Sequence, residues 1–340
     1  MNRMLSPLAG ALIALSPLAA SAETVQVAHP FPESGAQGRI DQAFGKDITD
    51  STGGALAFKF FWSGSLGAGN EIVHLIRDGA ISYGVSAPAY YAAEMPVAGL
   101  TNGTPFLFAE AATAMRLQDE LSRTNPHFLA EYERMGVFPI LQHGLTASRL
   151  MCTRKVASTA DLNALRVRSF GAYLPVALQA LGAVPVTMST ADMYEGLQRG
   201  TVDCVPVSYA TAGAFRLHEV ARFWTDLNLG ASSGPVFYTS WENYKDGGWG
   251  DDLRAAVDAA SARAMETEIA MLVADDKAAL DAAIAAGVTF TPFADPDAVY
   301  AKVPDMVALW KDTQIAKGMD ATVAAEVADA VRAAIVAEKK

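Results

Sequence analysis

The sequence predicts an α/β protein built from two similar lobes, and three observations carry that reading. Strand-like and helix-like segments alternate along the chain with no low-complexity linker between them. A helix ending in Arg77-Asp78-Gly79 ahead of one strand resembles a helix ending in Arg199-Gly200 ahead of another, far downstream. Residues 250–286 contain no proline and no internal glycine, and are dominated by Ala, with Asp, Leu, Met and one Lys, mostly strong helix formers.

In chain order, residues 24–28 are a short β-prone run. Residues 41–51 read as a helix ending at Thr52-Gly53-Gly54, and 57–62 alternate like a strand. Residues 71–77 read as a helix stopped by Asp78-Gly79, and 81–85 as the next strand. Ser189-Thr190-Ala191-Asp192 has the spacing of a helix capping box, with Asp in the place of Glu or Gln. The helix it opens runs through Gln198-Arg199 and stops at Gly200, after which 202–207 form a strand. As one helix, 250–286 would reach about 55 Å at 1.5 Å per residue. It therefore either crosses both lobes or breaks into two helices near Ala274-Asp275-Asp276.

Residues 1–22 read as a removable signal peptide. Arg3 is the only charge before Glu23, an apolar Leu- and Ala-rich run follows it, and Ala20-Ser21-Ala22 supplies a small-x-small cleavage site. Pro7 and Pro17 interrupt the run, so its unbroken part falls short of the roughly 20 residues of a membrane-spanning helix. The chain is expected to leave the cytoplasm. The formal charge of −11 lacks the basic stripe that nucleic-acid binding needs, so an anionic ligand must be held by a local positive site. Cys152 and Cys204 are the only cysteines. They read as two small buried residues, with a bond between them permitted in an oxidising compartment.

Catalytic motifs fail on context. Gly230-Ala231-Ser232-Ser233-Gly234 matches G-x-S-x-G, but a strand-like stretch at 236–240 follows it and all five histidines precede Ser232, whereas a nucleophile elbow needs a helix after the Ser and a later His. The segment reads instead as a small flexible turn between lobes. The glycines of Gly64-Ser65-Leu66-Gly67-Ala68-Gly69 lack dinucleotide spacing, and there is no P-loop. The histidines lack metal-ligand spacing. No enzyme activity, metal or cofactor is expected.

Several segments together resemble the solute-binding proteins of tripartite ATP-independent periplasmic (TRAP) transporters, the family of the C4-dicarboxylate-binding subunit. Ser51-Thr52-Gly53-Gly54 through Phe61 resembles the family's helix, TGG turn and strand. Gly64-Ser65-Leu66-Gly67, Glu71 and Gly79 resemble its G-x-L-G, E and G positions. Asp161-Leu162-Asn163-Ala164-Leu165-Arg166-Val167-Arg168 resembles D-L-x-G-L-K-I-R, with Ala164 in place of glycine. Leu181-Gly182-Ala183-Val184-Pro185-Val186 matches L-G-A-x-P-V, and Tyr194 to Asp203 follow Y-x-x-L-Q-x-G-x-V-D.

The resemblance implies a two-lobed periplasmic-binding-protein fold: two α/β domains with a ligand cleft, crossing strands and a long lobe-spanning helix. The expected division is residues 23–146 plus 234–270 for lobe I, and 147–233 plus 271–340 for lobe II and the C-terminal helices. It implies capture of a small organic acid in the cleft and delivery to TRAP membrane permease subunits, by a chain expected to be a monomer. An exported enzyme or a sensory protein on the same scaffold are the alternatives. Arg168 occupies the family's ligand-carboxylate position. A guanidinium stays charged where water is excluded, and its fork matches both carboxylate oxygens. The rival reading is a solvated strand face shared with Arg166.

The remaining candidates follow strand ends, where open α/β sheets expose ligand sites. They are His29 after the first strand, Ser86 and Tyr90 after the strand following Gly79, and Val207 and Tyr209 after its counterpart. Several members of the family have an Asn near Val207 that contacts substrate; this chain has none. Arg149 stands for the second arginine of many members if one residue is gapped, with a surface arginine as the other reading. Phe170, Tyr173 and Phe237 are aromatic candidates for the cleft wall or the core. A monocarboxylate with an apolar or ring-shaped body is the favoured ligand.

Overall fold

The computed structural model describes residues 23–338; the signal-peptide reading of 1–22 lies outside them. The strands are β1 (Glu23–Ala28), β2 (Leu56–Phe61), β3 (Tyr83–Ser86), β4 (Val137–Leu145), β5 (Arg149–Cys152), β6 (Arg166–Ser169), β7 (Val184–Thr187), β8 (Cys204–Val207), β9 (Phe223–Thr225), β10 (Ser232–Ser240) and β11 (Thr289–Thr291). They form a first sheet in the order β2-β1-β3-β10-β4 and a second in the order β11-β9-β5-β8-β6-β7. In the first, β1 lies parallel between β2 and β3, and β10 runs antiparallel to β3 and β4. In the second, β6 lies parallel between β7 and β8, and β5 runs antiparallel to β8 and β9. Each lobe thus repeats one plan: three parallel strands, then one antiparallel strand.

The likeness between the two helix-to-strand units extends to individual backbone bonds. Asp78 N–H donates to His74 and Gly79 N–H to Ile76, while Ala80 and Ile81 both donate back to Leu75. Arg199, Gly200, Thr201 and Val202 repeat this at one constant offset, onto Glu195, Leu197 and, twice, Gly196. Gly79 at φ 73° and Gly200 at φ 69° take the left-handed turn that ends each helix. The wrap delays the strands, so β3 begins at Tyr83 rather than 81 and β8 at Cys204 rather than 202.

Helix Ala36–Ser51 starts five residues before the expected position 41. Its N-terminal Gly35 offers no side-chain cap, so the sequence carries no start signal there. Gly38 sits where a Cβ would lie 2.5 Å from the Glu33 carbonyl. Ser189 does not cap a helix either: helix Met193–Gln198 begins after Asp192, and the Ser189 hydroxyl donates to the Asp192 carboxylate at 2.6 Å. A capping box does form at Ser158 and Asp161.

The chain crosses between the lobes from β4 to β5 and from β9 to β10, and again through the long helix that leads from β10 to β11. The segment 230–234 is not a flexible turn. Only Gly230, at φ 93°, turns; Ser232 and Ser233 already pair with Leu145 and Gly144 as the start of β10. Helix Asp251–Ala285 is continuous over 35 residues, about 52 Å long. It packs on Ala36–Ser51 and β4 of the first lobe and on Tyr209–Ala214 of the second, so the broken-helix alternative is set aside. Helices Met306–Ala316 and Ala321–Glu338 follow it. Their Trp310, Val327 and Val331 share a core with Ile72, Tyr91 and Phe128, and Trp310 Nε1 donates to Pro96 O at 2.9 Å. The C-terminal helices, expected with the second lobe, thus pack largely on the first, and Gln314 also reaches Tyr173 of the second at 2.7 Å. Cys152 and Cys204 are buried as expected and face each other across β5 and β8, where the structure joins them in a disulfide.

Candidate functional site

The second lobe presents Arg168 from β6, between β7 and β8. Arg166 shares its parity, yet Arg166 is half exposed and pairs with Asp203 at 2.6 Å, whereas Arg168 is 2% exposed. Strand parity fails because β6 opens at the surface and ends inside the cleft. Arg168 Nε donates to the Met188 carbonyl at 3.1 Å and Nη2 to the Thr190 hydroxyl at 3.1 Å. The guanidinium carbon lies 4.5 Å from the centre of the Phe170 ring, within cation–π range. Burial pulls the guanidinium below its ordinary pKa, opposed by the Tyr90 phenol and, more distantly, by Asp192; it remains charged at neutral pH. No carboxylate of the described residues lies in ion-pair contact with it.

An interlobe cavity of about 60 Å³ opens beside Arg168. The first lobe contributes Phe31, Ala87, Tyr90 and Asn102; the crossing segments contribute Leu145, Ser148, Ser232 and Pro235. The second lobe adds Phe170, Thr190, Pro206, Val207, Ser208 and Thr211. The Tyr90 and Thr190 hydroxyls meet at 2.5 Å across the gap. Asn102 accepts from Ala89 N–H at 2.9 Å and donates to the Ser233 and Gly234 carbonyls at 2.6 Å each, fixing β10 where it enters the first sheet.

Four of the nine expected residues line this cavity: Arg168, Tyr90, Phe170 and Val207. The other five do not. His29 is fully buried, its Nε2 2.8 Å from Asp41 Oδ2 and its Nδ1 beside the Phe31 backbone. Ser86 donates to the Gly69 carbonyl at 2.5 Å from inside the core. Arg149 turns back to the Ala147 carbonyl and over the Tyr209 ring. Tyr209 stacks on Trp224 and donates to Thr225 O at 2.7 Å. Phe237 packs against Phe44, Phe58 and Phe60. Tyr173, the further aromatic, bonds Gln314 at 2.7 Å. Asn102, Thr190 and Ser148 were not anticipated. Thr190 stood inside a supposed helix cap, and Asn102 lies in Thr101-Asn102-Gly103-Thr104, which carries no motif.

His29 belongs to a buried chain of four titratable groups. Asp41 Oδ1 lies 3.1 Å from His143 Nε2, off the hydrogen-bond axis, and His143 Nδ1 lies 2.9 Å from Glu268 Oε2. Burial opposes the charge on His143, but Asp41 and Glu268 together push it up to about 10. The Asp41 carboxyl is held low by the two histidines, against its burial. The chain ties β4 and the long helix to helix Ala36–Ser51. A larger groove of about 660 Å³ elsewhere is lined by Phe106, Tyr300 and Ile335, with Arg332 paired to Asp305 at 2.8 Å. It has no buried charge to receive an anion, so the Arg168 cleft is the candidate site. Among the described residues no group of His, Cys, Asp and Glu could hold a metal, and no helix is long and apolar enough to cross a membrane.

Comparison with known proteins agrees with this architecture. The family model "bacterial extracellular solute-binding protein, family 7" matches residues 27–312. The 2,3-diketo-L-gulonate-binding periplasmic protein YiaO of Escherichia coli (strain K12) is 25% identical over 216 residues, 62% of this chain and 64% of that protein. The match thus spans just under two thirds of that relative. A TRAP periplasmic solute-binding protein from Roseobacter denitrificans with bound β-D-glucuronate superposes with a TM-score of 0.79 at 18% identity, covering 92% of this chain and 99% of that one. The Bordetella pertussis extracytoplasmic solute receptor DctP7, binding pyroglutamic acid, gives 0.77 at 20% identity, covering 92% and 100%. At these identities the superpositions establish the fold.

Proposed function

The chain belongs to the bacterial extracellular solute-binding proteins, family 7, and from that premise we propose that it captures a small organic acid between its lobes in the periplasm and delivers it to a TRAP-type membrane permease. One observation carries this reading: a buried guanidinium, without a carboxylate partner among the described residues, faces the interlobe cavity. A buried charge needs a counter-charge, and a ligand carboxylate supplies one with matching fork geometry. Closure of the lobes would remove water and strengthen that contact. The ligands named for the Roseobacter and Bordetella proteins each carry a carboxylate, which supports the same class here. The proposed protein acts as a monomer and releases its ligand unchanged.

A thermal-shift screen over organic acids tests the proposal. A ligand at 100 times its Kd stabilises by about 2.7 kcal/mol, and the ligand recovered afterwards should be chemically intact. No response to any carboxylate would sink the reading, and turnover would replace it with an enzymatic one.

A further inference from the structure

We propose that the cleft selects a compact monocarboxylate whose body carries no charge, and rejects both a second carboxylate and a protonated amine. This rests on the reading of Arg168 as the carboxylate's partner and adds what the rest of the wall admits. Arg168 is the one charged side chain among the described residues that line the cavity. Acids on neighbouring segments are engaged outside it, among them Asp276, which accepts the Ala210 N–H at 2.9 Å. Asp192 accepts the Ser189 hydroxyl, and Asp275, in an adjoining recess, pairs with Arg39. A second ligand carboxylate would meet no cation and an ammonium no anion, and burying either unpaired is strongly unfavourable.

The polar atoms of the wall are largely committed to the protein itself. Asn102 serves three backbone groups. The Ser208 hydroxyl accepts from Thr211 N–H at 3.1 Å and donates to the Thr211 hydroxyl at 2.9 Å. Tyr90 and Thr190 hold each other and Arg168. The hydroxyls of Ser148 and Ser232 bond to no described residue and can serve one or two neutral polar groups of a ligand. The rest of the wall is apolar: Phe31, Leu145, Phe170, Pro206, Val207 and Pro235. The cavity holds about 60 Å³, against on the order of 300–1,000 Å³ for sites of drug-sized ligands. The fitting body is a small ring or a short branched chain.

Three acids on one five-membered ring separate these factors by calorimetric titration of the purified protein freed of carried-over ligand. Cyclopentanecarboxylate has one carboxylate and an apolar ring. Proline replaces one ring methylene with an ammonium, and cyclopentane-1,3-dicarboxylate adds a second carboxylate. The expected result is that cyclopentanecarboxylate binds at least about 100-fold tighter than either. Proline or the dicarboxylate binding as tightly overturns the proposal while leaving the Arg168 reading intact. If none of the three binds, the wider acid screen decides. A best ligand with one carboxylate and no ammonium supports the proposal, and a dicarboxylate or amino acid overturns it. Silence across the whole screen overturns the Arg168 reading itself.

Discussion

The hydroxyl of Tyr90 on the first lobe and that of Thr190 on the second stand 2.5 Å apart, and Thr190 also accepts a hydrogen bond from Arg168. The contact between the lobes and the cation of the cleft therefore share one side chain. Opening the lobes breaks the first bond and frees the hydroxyl that steadies the second. Tyr90→Phe removes the cross-lobe bond and the phenol beside Arg168 but leaves the Thr190–Arg168 bond, and should weaken ligand binding by about 1 kcal/mol, roughly fivefold. Thr190→Val removes both contacts and should weaken it more. Calorimetry of the two variants checks the order, and the reverse order would contradict the shared role.

Arg168→Lys keeps a charge but loses the fork, the Met188 contact and the Phe170 stacking. Binding of any carboxylate ligand should fall by about 10- to 100-fold. The fold should be retained, as read by circular dichroism. Unchanged affinity would remove Arg168 from the site.

The buried histidine chain sets a pH limit on stability. His143, ordinarily near 6.5, is raised to about 10 in the folded protein. Its contribution is complete below pH 6.5 and is lost as the pH rises from there through about 10. Asp41 is lowered from 3.8, so its contribution is present above that value and lost as the pH falls through its folded pKa. The melting temperature should decline steadily between pH 6.5 and 10. His143→Gln should flatten that slope and destabilise by about 3–5 kcal/mol at pH 6. A wild-type slope that survives in the variant would place its origin elsewhere.

Cys152 and Cys204 close a loop with a sequence separation of 52. Loop-closure entropy for that length predicts a loss of about 4 kcal/mol when the bond is reduced or both cysteines become Ser. Denaturant unfolding of the two forms measures it. Both residues are buried, and neither lines the cavity. Ligand affinity should therefore stay within about twofold under conditions where the variant is folded.

Local chemistry made much of the fold legible. Gly79 and Gly200 stop their helices, and the residues 24–28 and 57–62 announced β1 and β2. Arg168 was legible through its motif and not through parity, since Arg166 on the same face lies in solvent. The rest depended on partners remote in sequence. His29 follows β1 as a ligand residue would, but Asp41 turns it inward. Phe237 and Tyr209 found core neighbours no local pattern specifies. Asn102 became important only because the β10 carbonyls of Ser233 and Gly234 arrive beside it. The C-terminal helices touch both lobes, through Pro96, which receives Trp310, and Tyr173, which receives Gln314, and both partners lie far upstream.

The strand order also dictates a timetable. In the first sheet β4 pairs only with β10, and β10 is separated from it by most of the second lobe. As the chain becomes available from its N-terminus, the first lobe is begun first, yet its sheet stays open along β3 until residues 232–240 appear. By then β5 to β9 are all available. The first sheet therefore waits for a strand made after most of the second lobe, and truncating the chain before residue 232 should leave β4 unattached and the N-terminal half open to proteolysis.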